Sequence, residues 1–121
     1  MSTELTQTVN LTIVRVKGGG NTDDGRYFYS FTPDRLMSEV PGQLVYRISD
    51  DSSDGLRIRT VVTSASEGQM SKPQIGKDGL VAIMENFVTK HELINVAVIV
   101  TDLETPGSMI ICDPQVLNIP D

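Results

Sequence analysis

Short runs in which apolar and polar residues alternate recur along this chain, with Gly, Pro, Asn, Asp and Ser between them. Alternation at every second position marks a strand with one buried face. Val9, Leu11 and Ile13 predict a first strand that continues through Val14 and Val16 to the flexible turn Gly18-Gly19-Gly20. Tyr27, Tyr29 and Phe31 predict a second, ended by Thr32-Pro33. Leu44, Tyr46 and Ile48 mark a third, and Leu56, Ile58 and Thr60 a fourth across the polar tip DDSSDG. A short strand is expected near Gln74-Ile75, another over Leu80 to Met84, and a final pair over 94–101 and 108–116. Asp24-Gly25, Asp54-Gly55 and Asp78-Gly79 stand between such runs, and Asp-Gly is a strong hairpin signal. Two segments, Pro33 to Ser38 and Met84 to Lys90, are short helix candidates. The pattern predicts an all-β fold: a single Ig-like β-sandwich of about seven to eight antiparallel strands.

With 121 residues the chain has the length of one domain, 1–121, and not of two. Trp is absent and only six aromatics are present, so the core must be built from Val, Ile and Leu. A net charge of −6 without a cluster of cations, beyond Arg57 and Arg59, argues against nucleic acid as a partner. No basic leader followed by an apolar stretch opens the sequence, and no run has the length of a membrane span. Cys112 is the sole cysteine, which excludes an internal disulfide and fits a reducing compartment. The expectation is a cytoplasmic protein with no membrane partner.

Most familiar chemistries are short of residues here. His91 is the only histidine, so a nucleophilic triad has no motif around it, and the two His of a blue-copper site are not available. DDSSDG resembles the start of a calcium loop, but Val61 stands where the bidentate Glu is needed. Gly18-Gly19-Gly20 lacks the helix and Lys of a phosphate loop. No cofactor and no metal are expected.

Asp113-Pro114, inside the apolar run MIICDPQVLNIP, stands out. The Asp carboxyl can attack its own main-chain carbonyl, and the proline nitrogen is an unusually basic leaving group. A Pro within a strand removes a ladder hydrogen bond and belongs at an edge, a strand start or a bulge. The bland reading is an edge device against aggregation. In the hairpin 94–101/108–116, Ile94, Val96, Val98 and Val100 form one apolar face that Ile110, Cys112 and Val116 continue. Asp113 falls on the other face, across from Asn95 or Ala97, where Asn95 could bond the scissile carbonyl or hold a water. No Lys is placed there to trap an anhydride as an isopeptide.

The apolar strand leading into CDPQVLNIP resembles the DP-EP family of small bacterial β-sandwich proteins. That resemblance implies a self-cleaving, self-associating, aspartic-type endopeptidase that cuts its own chain at the Asp-Pro bond with an activated water. Asp113 would be the scissile residue and internal acid or nucleophile, and Pro114 the leaving amine. Burial against Met109, Ile111 and Ile99 would keep a proton on Asp113. A second carboxylate would orient the water. Asp102 is in the same hairpin but on its distal turn, and Asp34, Glu39 and Glu85 are candidates that the sequence does not place. The cut tail is expected to be held only marginally and to exchange between copies. The alternative is a non-catalytic binding or assembly module.

Overall fold

The computed structural model describes residues 5–120; residues 1–4 and Asp121, the last residue of the tail considered above, lie outside them. The elements are ten strands: β1 (Leu5–Arg15), β2 (Tyr27–Thr32), β3 (Arg35–Ser38), β4 (Gly42–Ile48), β5 (Leu56–Thr63), β6 (Gln74–Ile75), β7 (Val81–Asn86), β8 (Glu92–Asp102), β9 (Ile110–Cys112) and β10 (Gln115–Asn118). Among the described residues no helix is long and apolar enough to cross a membrane.

Neither helix candidate forms a helix. In β3 the alternation is complete, with Leu36 and Ser38 buried and Arg35 and Met37 exposed, and four residues are too few to nucleate a helix. The second candidate is the end of β7 followed by a turn in which Val88 adopts φ +49°.

One sheet runs β2-β1-β4-β7-β6, and the other β3-β10-β8-β5 with β9 also paired to β8. The expected all-antiparallel arrangement is corrected at two places: β1 runs parallel to β4, and β10 parallel to β3. The chain leaves the first sheet after β2, forms β3 in the second, and returns as β4, and such a crossover is what parallel neighbours require. The DDSSDG segment is likewise not a hairpin tip, because β4 and β5 belong to different sheets. It docks along β1, where the Ser52 and Ser53 hydroxyls each accept a main-chain N–H, from Ile13 and Arg15, at 3.0 Å. Gly25 and Gly79 do sit in hairpins, at φ +80° and +73°, joining β1 to β2 and β6 to β7.

The inward faces of the two sheets form one apolar cluster. Val9, Leu11, Ile13, Leu44 and Tyr46 come from the first sheet, and Ile58, Ile94, Val96, Val98, Val100, Ile110, Cys112 and Val116 from the second. The face foreseen for the 94–101/108–116 hairpin is thus the core face. Tyr46 is fully buried, and its hydroxyl has no hydrogen-bond partner among the described residues. An unpaired buried hydroxyl costs desolvation with nothing returned. Tyr46→Phe is therefore expected to raise stability by about 1 kcal/mol, read as a higher urea midpoint at unchanged slope.

β10 is an interior strand, with β3 on one side and β8 on the other. Pro114, Val116 and Asn118 are buried along it. Asn118 and Asn86 exchange amide hydrogen bonds at 2.9 Å, and Asn118 also donates to Gln69 at 3.2 Å. The segment after Pro114 is built into the sheet from both sides, not laid along its rim.

Candidate functional site

β9 and β10 pair with the same side of β8 in one unbroken register. Val98 faces Cys112 and Asn95 faces Gln115, which puts Ala97 opposite Asp113 and Val96 opposite Pro114. The Val96 N–H donates to the Pro114 carbonyl at 3.0 Å. An ordinary residue at 114 would return its own N–H to the Val96 carbonyl, and proline has none. The ladder is therefore broken at one rung. The edge-protection reading of Pro114 fails on this geometry, since the missing donor faces β8 in the middle of the sheet and not solvent.

Asp113 is turned the other way. Its N–H points away from β8 and donates to the Tyr29 hydroxyl at 3.3 Å, while the Thr22 hydroxyl donates to the Ile111 carbonyl at 2.8 Å. Thr22 of the β1–β2 connection and Tyr29 of β2 thus tether the outer edge of β9. In an extended chain the N–H and C=O of one residue point to the same side. The scissile carbonyl consequently faces outward as well, into the space between the β9 edge and the start of β3.

That space is an open cleft of about 620 Å³ lined by Asp34, Arg35, Asn95, Asp113, Pro114 and Gln115. Asp34 reaches it because the chain passes from β2 in one sheet to β3 in the other through Thr32-Pro33-Asp34. The parallel pairing aligns Arg35 with Gln115, and one step back along it lies Asp34 beside Pro114. Two carboxylates and a guanidinium line the one cleft that borders the Asp-Pro bond. In the sequence Asp34 has no place beside this bond, alternation puts Gln115 on the face of Asp113, and nothing local singles out Arg35 or Tyr29 for the site.

Asn95 lies in the cleft, but its side chain is engaged with its neighbour: its Oδ1 accepts from the Gln115 amide at 3.1 Å. Arg35 in turn reaches the Gln115 Oε1 at 3.5 Å. Asn95 makes no hydrogen bond to the Asp113 carbonyl. Asp113 itself is exposed, as are Met109 and Ile111, so the apolar covering expected to hold a proton on it is not present. Cys112, next in the chain, is buried on the core face, and burial pushes its thiol up to about 12. It is no nucleophile for the adjoining bond.

Asp102 is elsewhere. It ends β8 fully buried, where its carboxylate accepts from Arg15 Nε at 2.8 Å and from the Tyr27 hydroxyl at 2.6 Å. The Arg15 guanidinium holds its carboxyl well below the usual carboxylate range. Asp102 is a tie between β1 and β8 and not part of the cleft, which corrects its candidacy. Glu39 and Glu85 do not line the cleft either. Among the described residues no group of three or more His, Cys, Asp or Glu could hold a metal ion.

Comparison with known protein families finds no match for this chain, and comparison with curated proteins finds none.

Proposed function

We propose that this protein is a self-cleaving, aspartic-type endopeptidase that hydrolyses its own Asp113-Pro114 bond. The observation that carries the reading is the convergence of Asp34 and Asp113 on one open cleft at that bond. Two carboxylates can divide the work when one is ionised and the other protonated. Asp34, as carboxylate, takes a proton from a water whose oxygen adds to the Asp113 main-chain carbonyl carbon. The oxyanion that forms has the Arg35 guanidinium in the same cleft. Collapse breaks the C–N bond, and the Asp113 carboxyl delivers its proton to the Pro114 nitrogen. The products are an α-carboxylate on Asp113 and a secondary amine on Pro114. Cutting this bond sacrifices no ladder hydrogen bond at its nitrogen, because Pro114 has no N–H to give the Val96 carbonyl. The resemblance of CDPQVLNIP to the DP-EP family supports the same activity, and with it an immunoglobulin-like form of the sandwich.

Intact-mass measurement on purified protein tests this directly. The wild-type chain is expected to divide into two pieces summing to its mass plus one water during incubation at mildly acidic pH, and Asp113→Ala to stay whole. A wild-type chain that remains uncut over that range sinks the proposal.

A second reading, a binding or self-assembly module, has one observation in its favour. Met37 on β3, Leu117 on β10 and Leu93 on β8 lie side by side in register on the outer face, with Met37 and Leu93 about half exposed. On that reading Pro114→Ala alters oligomerisation and leaves chain length untouched, which sedimentation and mass together resolve.

A further inference from the structure

The broken rung has a chemical consequence for the products of cleavage. Pro114 is held opposite Val96, accepting its N–H at 3.0 Å, with its nitrogen on the side that faces the Val96 carbonyl. In the intact chain that nitrogen is a tertiary amide without hydrogen. Hydrolysis adds water across the C–N bond, leaving Asp113 with an α-carboxylate and the proline nitrogen as a secondary amine, protonated at neutral pH with two N–H donors. Cleavage thus creates the donor that the ladder lacks, and as a charge-assisted one.

The strand that carries this amine is not free to leave easily. It is paired through Gln115–Asn118 to β8 on one side and to β3 on the other, and among the described residues β3 belongs to its sheet only through β10. Val116 and Asn118 are fully buried, Asn118 is bonded to Asn86 and Gln69, and the Ile119 N–H donates to the Ser38 carbonyl at 2.8 Å. Loss of the segment would unpair two strands and leave the buried Asn86 amide N–H₂ without its acceptor.

We propose that the gap between β3 and β8 is a peptide-binding slot, whose ligand is the chain's own extended segment from Pro114, retained after cleavage through a new hydrogen bond from the Pro114 amine to the Val96 carbonyl. The inference rests on the self-cleavage reading for how the ligand is made, and on the sheet geometry for how it is held. It differs from the expectation of a marginal tail, which weighed the burial of two side chains against the cost of ordering a free peptide and counted one adjoining strand, where the structure has two. Specificity follows from the alternation. The slot takes a free N-terminal proline, a small apolar side chain two residues on, and a carboxamide two residues beyond that, as in Pro114, Val116 and Asn118.

The test uses the cut full chain. Cut protein is unfolded in urea with an excess of end-labelled peptide PQVLNIP, bearing either a free or an acetylated N-terminus, and then returned to buffer at high salt to screen net charge. The resident tail is expected to co-elute with the body when no peptide is added. The free-amine peptide is expected to replace it in proportion to its mole fraction, and the acetylated peptide at least about tenfold less, since an acetylated proline again lacks the N–H. A tail that elutes apart from the body, or equal uptake of the two peptides, overturns the inference. If the chain does not cut itself, dilute acid cleaves its single Asp-Pro bond and gives the same two pieces. Failure of self-cleavage and failure of tail capture are then separate results.

Discussion

Asp34→Asn is expected to slow cleavage at Asp113-Pro114 by about 10²–10⁴-fold, the loss that follows removal of a positioned general base. The fold should be indifferent to the change. Asp34 is exposed, stands in the turn before β3, and makes no side-chain hydrogen bond or ion pair among the described residues. Substitutions at such surface positions usually move stability by less than about 0.5 kcal/mol. Asp34→Glu, which restores the carboxylate on a longer arm, is expected to recover part of the rate. A rate equal to wild type in Asp34→Asn would leave Asp113 acting alone, by attack on its own carbonyl, and remove Asp34 from the mechanism.

The contrast between Asp113 and Asp34 shows what a local pattern can carry. Alternation along 94–101 and 108–116 is a property of neighbours in sequence, and it assigns Asp113 to the outer face, opposite Asn95 or Ala97, between which the register selects Ala97. It says nothing about whether the outer face is covered, and Met109 at 54% and Ile111 at 43% exposure show that it is not. Asp34 is invisible to the same reasoning. Its place beside Pro114 depends on the parallel pairing of β3 with β10, strands far apart in the chain, and Pro33-Asp34 reads locally as a helix start. Parallel pairing is set by crossovers between sheets, which leave no periodic signal. Arg15 and Asp102 teach the same lesson at the opposite end of the core. Asp102 opens the polar stretch DLETPG and so reads as a turn residue, and only the cation on distant β1 makes its burial possible.

That pairing sets the second large effect: Asp102→Asn is expected to destabilise the fold by about 2–4 kcal/mol, toward the low end of what breaking a buried ion pair costs, because Arg15 keeps some contact with water. The carboxylate accepts from Arg15 twice, at 2.8 and 2.7 Å, from the Tyr27 hydroxyl at 2.6 Å and from the Glu104 N–H at 2.9 Å. Asn keeps the shape but offers one acceptor oxygen, and turns an N–H₂ group toward donors. Arg15 is left bonded to the Asp54 carbonyl and the exposed Glu104, which hold a surface charge weakly. A loss of that size lowers the melting midpoint by roughly 6–15 °C for a domain of this length. Its pH dependence is fixed by sign. The folded-state pKa of Asp102 is depressed, with the hydrogen bond from Arg15 the largest cause. The unfolded chain therefore binds the proton first on acidification, and stability is lost as pH falls. The contribution of Asp102 is fully present above the ordinary carboxylate range and drains away below it. Melting curves of wild type and Asp102→Asn should lie farthest apart near neutral pH and draw together below about pH 4. A gap that stays constant down to pH 2 would show that the carboxylate's charge is not what holds β1 to β8.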